Sequence, residues 1–181
     1  MKKLLPDEMG RVSVDEFKRQ RKLPLAVVLD SVRSMNNVGS VFRTCDAFGV
    51  EALYLCGITA TPPHKEITKT ALGATESVDW YYEKECTALV QRLKNEGYRI
   101  LAVEQVDDSA QLDSFAFRPE EKYAVILGNE VFGVDDEVLA LCDGAIEIPQ
   151  VGTKHSLNVS VAAGVVLWEA FRQHSHAVSG K

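Results

Sequence analysis

From Leu25 onward, short apolar runs alternate with segments of helical periodicity. Leu25-Ala26-Val27-Val28-Leu29 is a continuous apolar run of strand length, which predicts a strand covered on both faces. Residues 37–48 place Val38, Val41, Phe42 and Cys45 on one helical face, and Gly49 closes the segment. The same reasoning predicts strands over 52–56, 78–82, 99–103, 123–127 and 145–148, and helices over 66–72, 85–95, 135–141 and 157–173. Ahead of them, Ser13-Val14-Asp15-Glu16 has the form of a capping box, so a short helix over 14–22 is expected, ended by Pro24.

Strands alternating with helices give an α/β domain, a mostly parallel sheet with helices on both faces. Three parts follow: a basic arm with a short helix over 1–24, the α/β domain over 25–173, and a polar tail over 174–181. In such sheets ligands gather beyond the carboxyl ends of the strands, here residues 30–37, 103–106, 128–134 and 148–158.

Composition narrows the class. With 181 residues, 46% hydrophobic and 25% charged, the chain suits one soluble globular domain and excludes a wholly disordered one. The longest apolar run, 159–168, is too short to span a bilayer. The N-terminus meets Pro6, Asp7 and Glu8 before any signal-length apolar core forms, so a cytoplasmic protein is expected, with no membrane partner. Cys45, Cys56, Cys86 and Cys142 lie in apolar stretches without a CxxC pair, which reads as buried thiols. The histidines have no metal-ligand spacing, and no metal is expected.

Charge is uneven. Residues 1–43 hold nine Lys/Arg against five acids, a net +4, while the rest of a chain of total charge -6 carries -10. A basic arm on an acidic body is compatible with local contact to a polyanion, although a solvated helix face is the commoner meaning of such a run.

The strand exits lack the usual fingerprints. There is no GxGxxG after a strand, no GxxxxGK[ST] and no GxSxG. What they carry instead is Asn37-x5-Arg43 at the first, Leu127-Gly128-Asn129-Glu130-x-x-Gly133 at the third, and Ile148-Pro149-x6-Ser156-Leu157-Asn158-Val159-Ser160 at the fourth. Asn37 reads as a cap for the first helix, and Ser156 or Asn158 as a cap for the last. Arg43 is either a surface arginine or a guanidinium able to grip a phosphate in a fork. The glycines let backbone approach a ligand closely.

Together, and in this order, the three stretches resemble the three motifs of the SpoU/TrmH family of RNA ribose 2′-O-methyltransferases, part of the SPOUT superfamily. The resemblance runs over 25–173. It implies a deep trefoil knot near the C-terminus, a homodimer with active sites built from both subunits, and S-adenosylmethionine as methyl donor. By position, the donor's contacts fall on Val103, Glu104, Leu127, Gly128, Asn129, Ile148, Leu157 and Asn158. The resemblance assigns catalysis to Arg43, with Asn37, Glu130, Ser156 and Asn158 orienting it, the ribose and the donor loop. A guanidinium keeps its proton at physiological pH, so stabilising a developing alkoxide is as open a role for Arg43 as acting as a base.

RNA contact is expected from Arg11, Lys18, Arg19, Arg21, Lys22, Arg33 and Lys69. The compact form, together with Val103-Glu104-Gln105 and Ile148-Pro149-Gln150, resembles catalytic domains that modify guanosine 18 of the transfer RNA D-loop. Ribosomal RNA and the wobble position are the alternatives. A silent RNA-binding module and a base methyltransferase are the rivals from other classes; the full set of polar motif residues and Asn37-x5-Arg43 count against them.

Overall fold

The alternation becomes three layers. The structure is a computed structural model that describes residues 1–5, 8, 10 and 12–179, with side chains in the last helix as far as residue 175. Ser13 caps α1 (Val14–Arg19). Its Oγ accepts from the Glu16 N–H, and the Glu16 carboxylate accepts from the Ser13 N–H at 2.8 Å. The helix is shorter than the expected 14–22. Gln20 is already extended (ψ 151°), and Lys22 folds back to donate to the Phe17 carbonyl at 2.6 Å.

β1 (Leu23–Asp30) starts two residues before the predicted run. Pro24 therefore lies inside it, at a register irregularity between Leu23 and Ala26, where a strand tolerates a residue with no N–H. There follow α2 (Met35–Phe48), β2 (Val50–Cys56), α3 (Lys65–Ala71), α4 (Ala74–Ser77), β3 (Trp80–Glu83), α5 (Cys86–Asn95), β4 (Tyr98–Val103), β5 (Ala110–Gln111), β6 (Lys122–Leu127), α6 (Asp136–Leu139), β7 (Gly144–Glu147) and α7 (Val159–Ser179). The short α4 and β5 are absent from the predicted elements because two to four residues carry no periodicity.

The strands form one seven-stranded sheet in the order β3-β2-β1-β6-β4-β7-β5, every pair parallel. β1 shows why its sequence is apolar throughout. Leu25, Val27 and Leu29 face a core closed by Phe42 of α2, Ile67 of α3 and Leu167 of α7. Ala26 and Val28 face the other core, closed by Leu89 and Leu93 of α5 and Val138 of α6. Each fully buried Val or Leu contributes roughly 1.5–3 kcal/mol. α2 approaches α3 closely at Gly39, where a Cβ would collide with the Ile67 carbonyl and the Thr70 hydroxyl.

α7 runs on through Ser179, past the predicted end at 173. The described part of the polar tail over 174–181 is therefore helix rather than coil. Gln173 ties that end down: its Oε1 accepts from the Phe117 N–H and its Nε2 donates to the Phe115 carbonyl, both at 2.9 Å. On the outer side of α7, Val161, Val165 and Trp168 are 52%, 37% and 51% exposed and form an uncovered apolar stripe.

Cys45, Cys56 and Cys86 are buried and Cys142 partly so; all four are unpaired thiols. Among the described residues, no helix is long and apolar enough to cross a membrane, and no group of three or more His, Cys, Asp or Glu could hold a metal ion.

Candidate active site

β1, β6, β4 and β7 are neighbours in the sheet, so their carboxyl ends open at one place. There lies a cleft of about 520 Å3. Val103, Glu104, Leu127, Gly128, Asn129, Ile148, Leu157 and Asn158 all stand on its wall, with Glu130 and Ser156. Three chain segments far apart in sequence thus meet, as the strand-exit rule anticipates.

The glycines shape the middle segment. Asn129 and Gly133 form a two-way backbone bridge, N–H to carbonyl at 2.8 and 2.9 Å. A Cβ on Gly128 would run into the Gly133 and Val134 backbone. Gly133 has φ +73°, and a Cβ there would meet the Glu104 carboxylate. That carboxylate accepts from the Val134 N–H at 3.1 Å and so pins the 128–134 loop to the end of β4. Glu104 is a loop anchor as well as part of the wall.

Asn129 is consumed by structure. Its Nδ2 donates to the Ser31 carbonyl at 2.8 Å, and its Oδ1 accepts from the Val131 N–H at 2.9 Å. Ser31 sits at φ +55°, an uncommon backbone for a residue with a side chain, and the Asn129 amide holds it there. This link between β1 and β6 left no trace in the sequence beyond the Asn itself.

Glu130 joins the first motif to the second. Its carboxylate accepts from the Arg33 N–H at 2.8 Å, the Ser34 N–H at 3.0 Å and Asn37 Nδ2 at 3.0 Å. Burial pushes the Glu130 carboxyl up, but those donors outweigh it and hold the group below the usual 4.5. A carboxylate so engaged orients its neighbours and is a poor proton acceptor. The cap of α2 is Ser34, whose Oγ accepts from the Asn37 N–H at 3.3 Å. Asn37, expected at the cap, lies within the first turn, and its side chain is released to bridge Glu130 and Asn158.

Asn37 Oδ1 accepts from Asn158 Nδ2 at 3.1 Å. Asn158 Oδ1 meanwhile accepts from the Ser160 N–H at 2.9 Å, capping α7. Of the two expected caps, Asn158 fills the role. Ser156 stays on the exposed loop lining the cleft.

Arg43 is not on this wall. It lies six residues after Asn37, about 120° away round the helix, on the exposed side of α2. The positions named for RNA are scattered. Arg33 is exposed beside Glu130, and Lys69 is exposed on α3. Arg19 and Arg21 are exposed, Lys18 lies 3.9 Å from Asp79, and Lys22 is folded onto Phe17, 3.1 Å from its ring centroid. Arg11 is outside the described residues.

Residues 24–168 match the model of the SpoU rRNA Methylase family. The chain belongs to the SpoU methylase family. It is 35% identical over 170 residues, 94% of this chain and 86% of the relative, to a Thermus thermophilus protein named tRNA (guanosine(18)-2'-O)-methyltransferase. Its fold is similar to the Aquifex aeolicus TrmH/SpoU tRNA modifying enzyme, with TM-score 0.80 and 30% identity over 92% of this chain and 82% of that one. It is also similar to the SpoU methyltransferase AviRb from Streptomyces viridochromogenes in complex with the cofactor AdoMet, with TM-score 0.75 and 26% identity over 96% and 68% of the two chains. In this SpoU methylase the second and third motifs line the cleft, and the first meets them through Asn37, which bonds to Glu130 and Asn158.

Proposed function

We propose that this chain is a homodimeric, S-adenosylmethionine-dependent methyltransferase acting on the ribose 2′-hydroxyl of a transfer RNA nucleotide, with guanosine 18 of the D-loop as the leading target. The observation that carries this reading is the hydrogen-bonded line Glu130–Asn37–Asn158, which ties the three motifs together at the mouth of one cleft.

The cleft fits the donor. Its volume falls within the usual range for small-molecule sites, roughly 300–1,000 Å3. Gly128 brings bare backbone to its wall, Leu127, Ile148 and Leu157 offer apolar surface, and Glu104 adds a carboxylate. These residues would hold the donor, which supplies a methyl group already activated on a sulfonium. The rest falls to the protein: aligning the ribose and easing loss of its hydroxyl proton. Alignment alone is worth on the order of 7–11 kcal/mol at best. Asn37 and Asn158, each held by a second partner, present fixed amides for that purpose. The Arg43 guanidinium stabilises the oxygen as negative charge grows on it, with the hydroxyl proton passing to water.

A shared site accounts for the position of Arg43. Standing on the exposed face of α2, it serves the cleft of the second subunit, while the partner's Arg43 completes this one. The apolar stripe of Val161, Val165 and Trp168 on α7 supports such a dimer. The same family resemblance supports a trefoil knot in the segment that carries the second and third motifs, and work on transfer RNA supports the cytoplasm as its place. Lys18, Arg19, Arg21, Arg33 and Lys69 are exposed cations for RNA; Arg11, also named for it, lies outside the described residues.

The test is to incubate the protein with methyl-labelled donor and unmodified transfer RNA or ribosomal RNA, then map 2′-O-methylated nucleosides by nuclease digestion and mass spectrometry. Label at guanosine 18 is the expected result. Label at the wobble position or in ribosomal RNA would correct the target, and no label in any RNA despite donor binding would overturn the enzyme reading.

A further inference from the structure

A second cavity, of about 430 Å3, lies at the far end of α2 from the cleft. Its floor is aromatic: Phe48, at the end of α2, and Phe171 of α7 have ring centroids 5.5 Å apart and tilted by 38°. Its rim carries the cations Arg21 and Lys22 from the segment joining α1 to β1, beside His174 of α7, which burial and the neighbouring Arg21 hold below the usual imidazole range. Asp46, the acid on the wall, accepts a hydrogen bond from the Ser77 hydroxyl. Lys22 is occupied by the Phe17 carbonyl, which leaves the exposed guanidinium of Arg21 at the mouth.

The place of this cavity along α2 gives it meaning. Ala47 is on its wall and lies four residues after Arg43 on the same exposed face, roughly 6 Å along the axis. The cavity therefore opens one helical turn from the residue placed at the methylated ribose. An aromatic floor with a guanidinium at its mouth suits a nucleotide: the base stacks on ring faces and the phosphate meets the guanidinium fork. A purely apolar guest would leave Arg21 unmatched.

We infer that this cavity takes a nucleotide flanking the one that is methylated, its base against Phe48 and Phe171 and its phosphate on Arg21. The inference rests on the RNA reading above and on Arg43 acting at the target ribose. It makes the substrate a strand opened at its target and at one neighbour of it rather than an intact duplex.

The test uses the full-length protein and transfer RNA in which the base of either neighbour of the target is removed, leaving the ribose and phosphate. One abasic neighbour should raise KM for the wild-type protein about 5-fold or more, the range of one base–aromatic stack. In Phe48→Leu, folded by circular dichroism and donor binding, the same lesion should change KM by less than about 2-fold. Arg21→Glu, on the surface and so independent of core packing, should weaken RNA binding and lower the slope of log affinity against log salt by about one. An equal abasic penalty in wild type and Phe48→Leu, or an unchanged salt slope in Arg21→Glu, overturns the inference while methylation of intact RNA leaves the enzyme reading standing. No methylation of intact RNA overturns that reading and this inference with it.

Discussion

Asn158 Nδ2 donates to Asn37 Oδ1 at 3.1 Å although 121 residues separate them. Each amide has a second commitment: Asn37 Nδ2 donates to Glu130, and Asn158 Oδ1 caps α7. The start of the last helix is thereby locked to the start of α2, and both to the loop after β6. A fixed rotamer at each Asn is what a positioning site requires.

Asn158→Ser separates the two commitments. Serine keeps the cap but cannot reach Asn37, so thermal stability should change by only a few tenths of a kcal/mol while kcat falls about 100-fold. Asn158→Ala should lose a further ~1 kcal/mol of stability with the cap. Thermal melts beside single-turnover methylation distinguish the two; equal activity in both variants and wild type would remove the amide pair from the mechanism.

Arg43→Ala should abolish methylation and leave donor affinity nearly unchanged, since Arg43 is off its own cleft wall. Mixing subunits sharpens the point. Arg43→Ala and Glu130→Ala proteins, each inactive alone, should recover activity when co-expressed, because in the mixed dimer one cleft keeps its own Glu130 and receives the partner's Arg43. A site contained within one subunit would show no recovery.

Gly128→Ala should cost about 1–3 kcal/mol, since its methyl meets the Gly133–Val134 backbone rather than a yielding side chain. Calorimetric titration with the donor should show binding lost with it. Gly49→Ala serves as the control. Its φ of +60° is strained but nothing lies within 4 Å of a Cβ, so stability should fall and donor affinity should hold.

Acid should loosen the site through Glu130. Its folded carboxyl is held below the ordinary 4.5 after burial is outweighed by the Arg33, Ser34 and Asn37 donors. A depressed carboxyl stabilises the fold in full above the unfolded value and loses that contribution as pH falls through the folded one. The melting temperature of wild type should exceed that of Glu130→Gln by a constant amount above pH 4.5, and the gap should close as pH falls below it. A gap independent of pH would assign the effect of the substitution to packing.

The apolar runs by themselves determined an α/β domain with a parallel sheet, because a strand covered on both faces and a helix covered on one leave different periods. They also located the cleft, since parallel strands open their functional ends on the same side. The motif residues stood out because Asn, Arg, Glu and Ser next to glycine at strand ends have little to do in a core. Element ends were less legible. Ser34 displaced Asn37 as the cap of α2, and the tail beyond Gln173 proved helical in its described part, because short polar stretches read alike as caps, turns or the wet face of a helix.

Only the tertiary structure decided what each polar side chain holds. Asn129 spends its amide on Ser31, Glu104 spends its carboxylate on the 128–134 loop, and Asn37 is shared between Glu130 and Asn158. Such pairings join residues 30 to 121 positions apart, and periodicity reports only on near neighbours along the chain. Arg43 shows the same division. Its spacing from Asn37 was plain in the sequence, but at 3.6 residues per turn the helix carried it about 120° round to the exposed face and away from its own cleft.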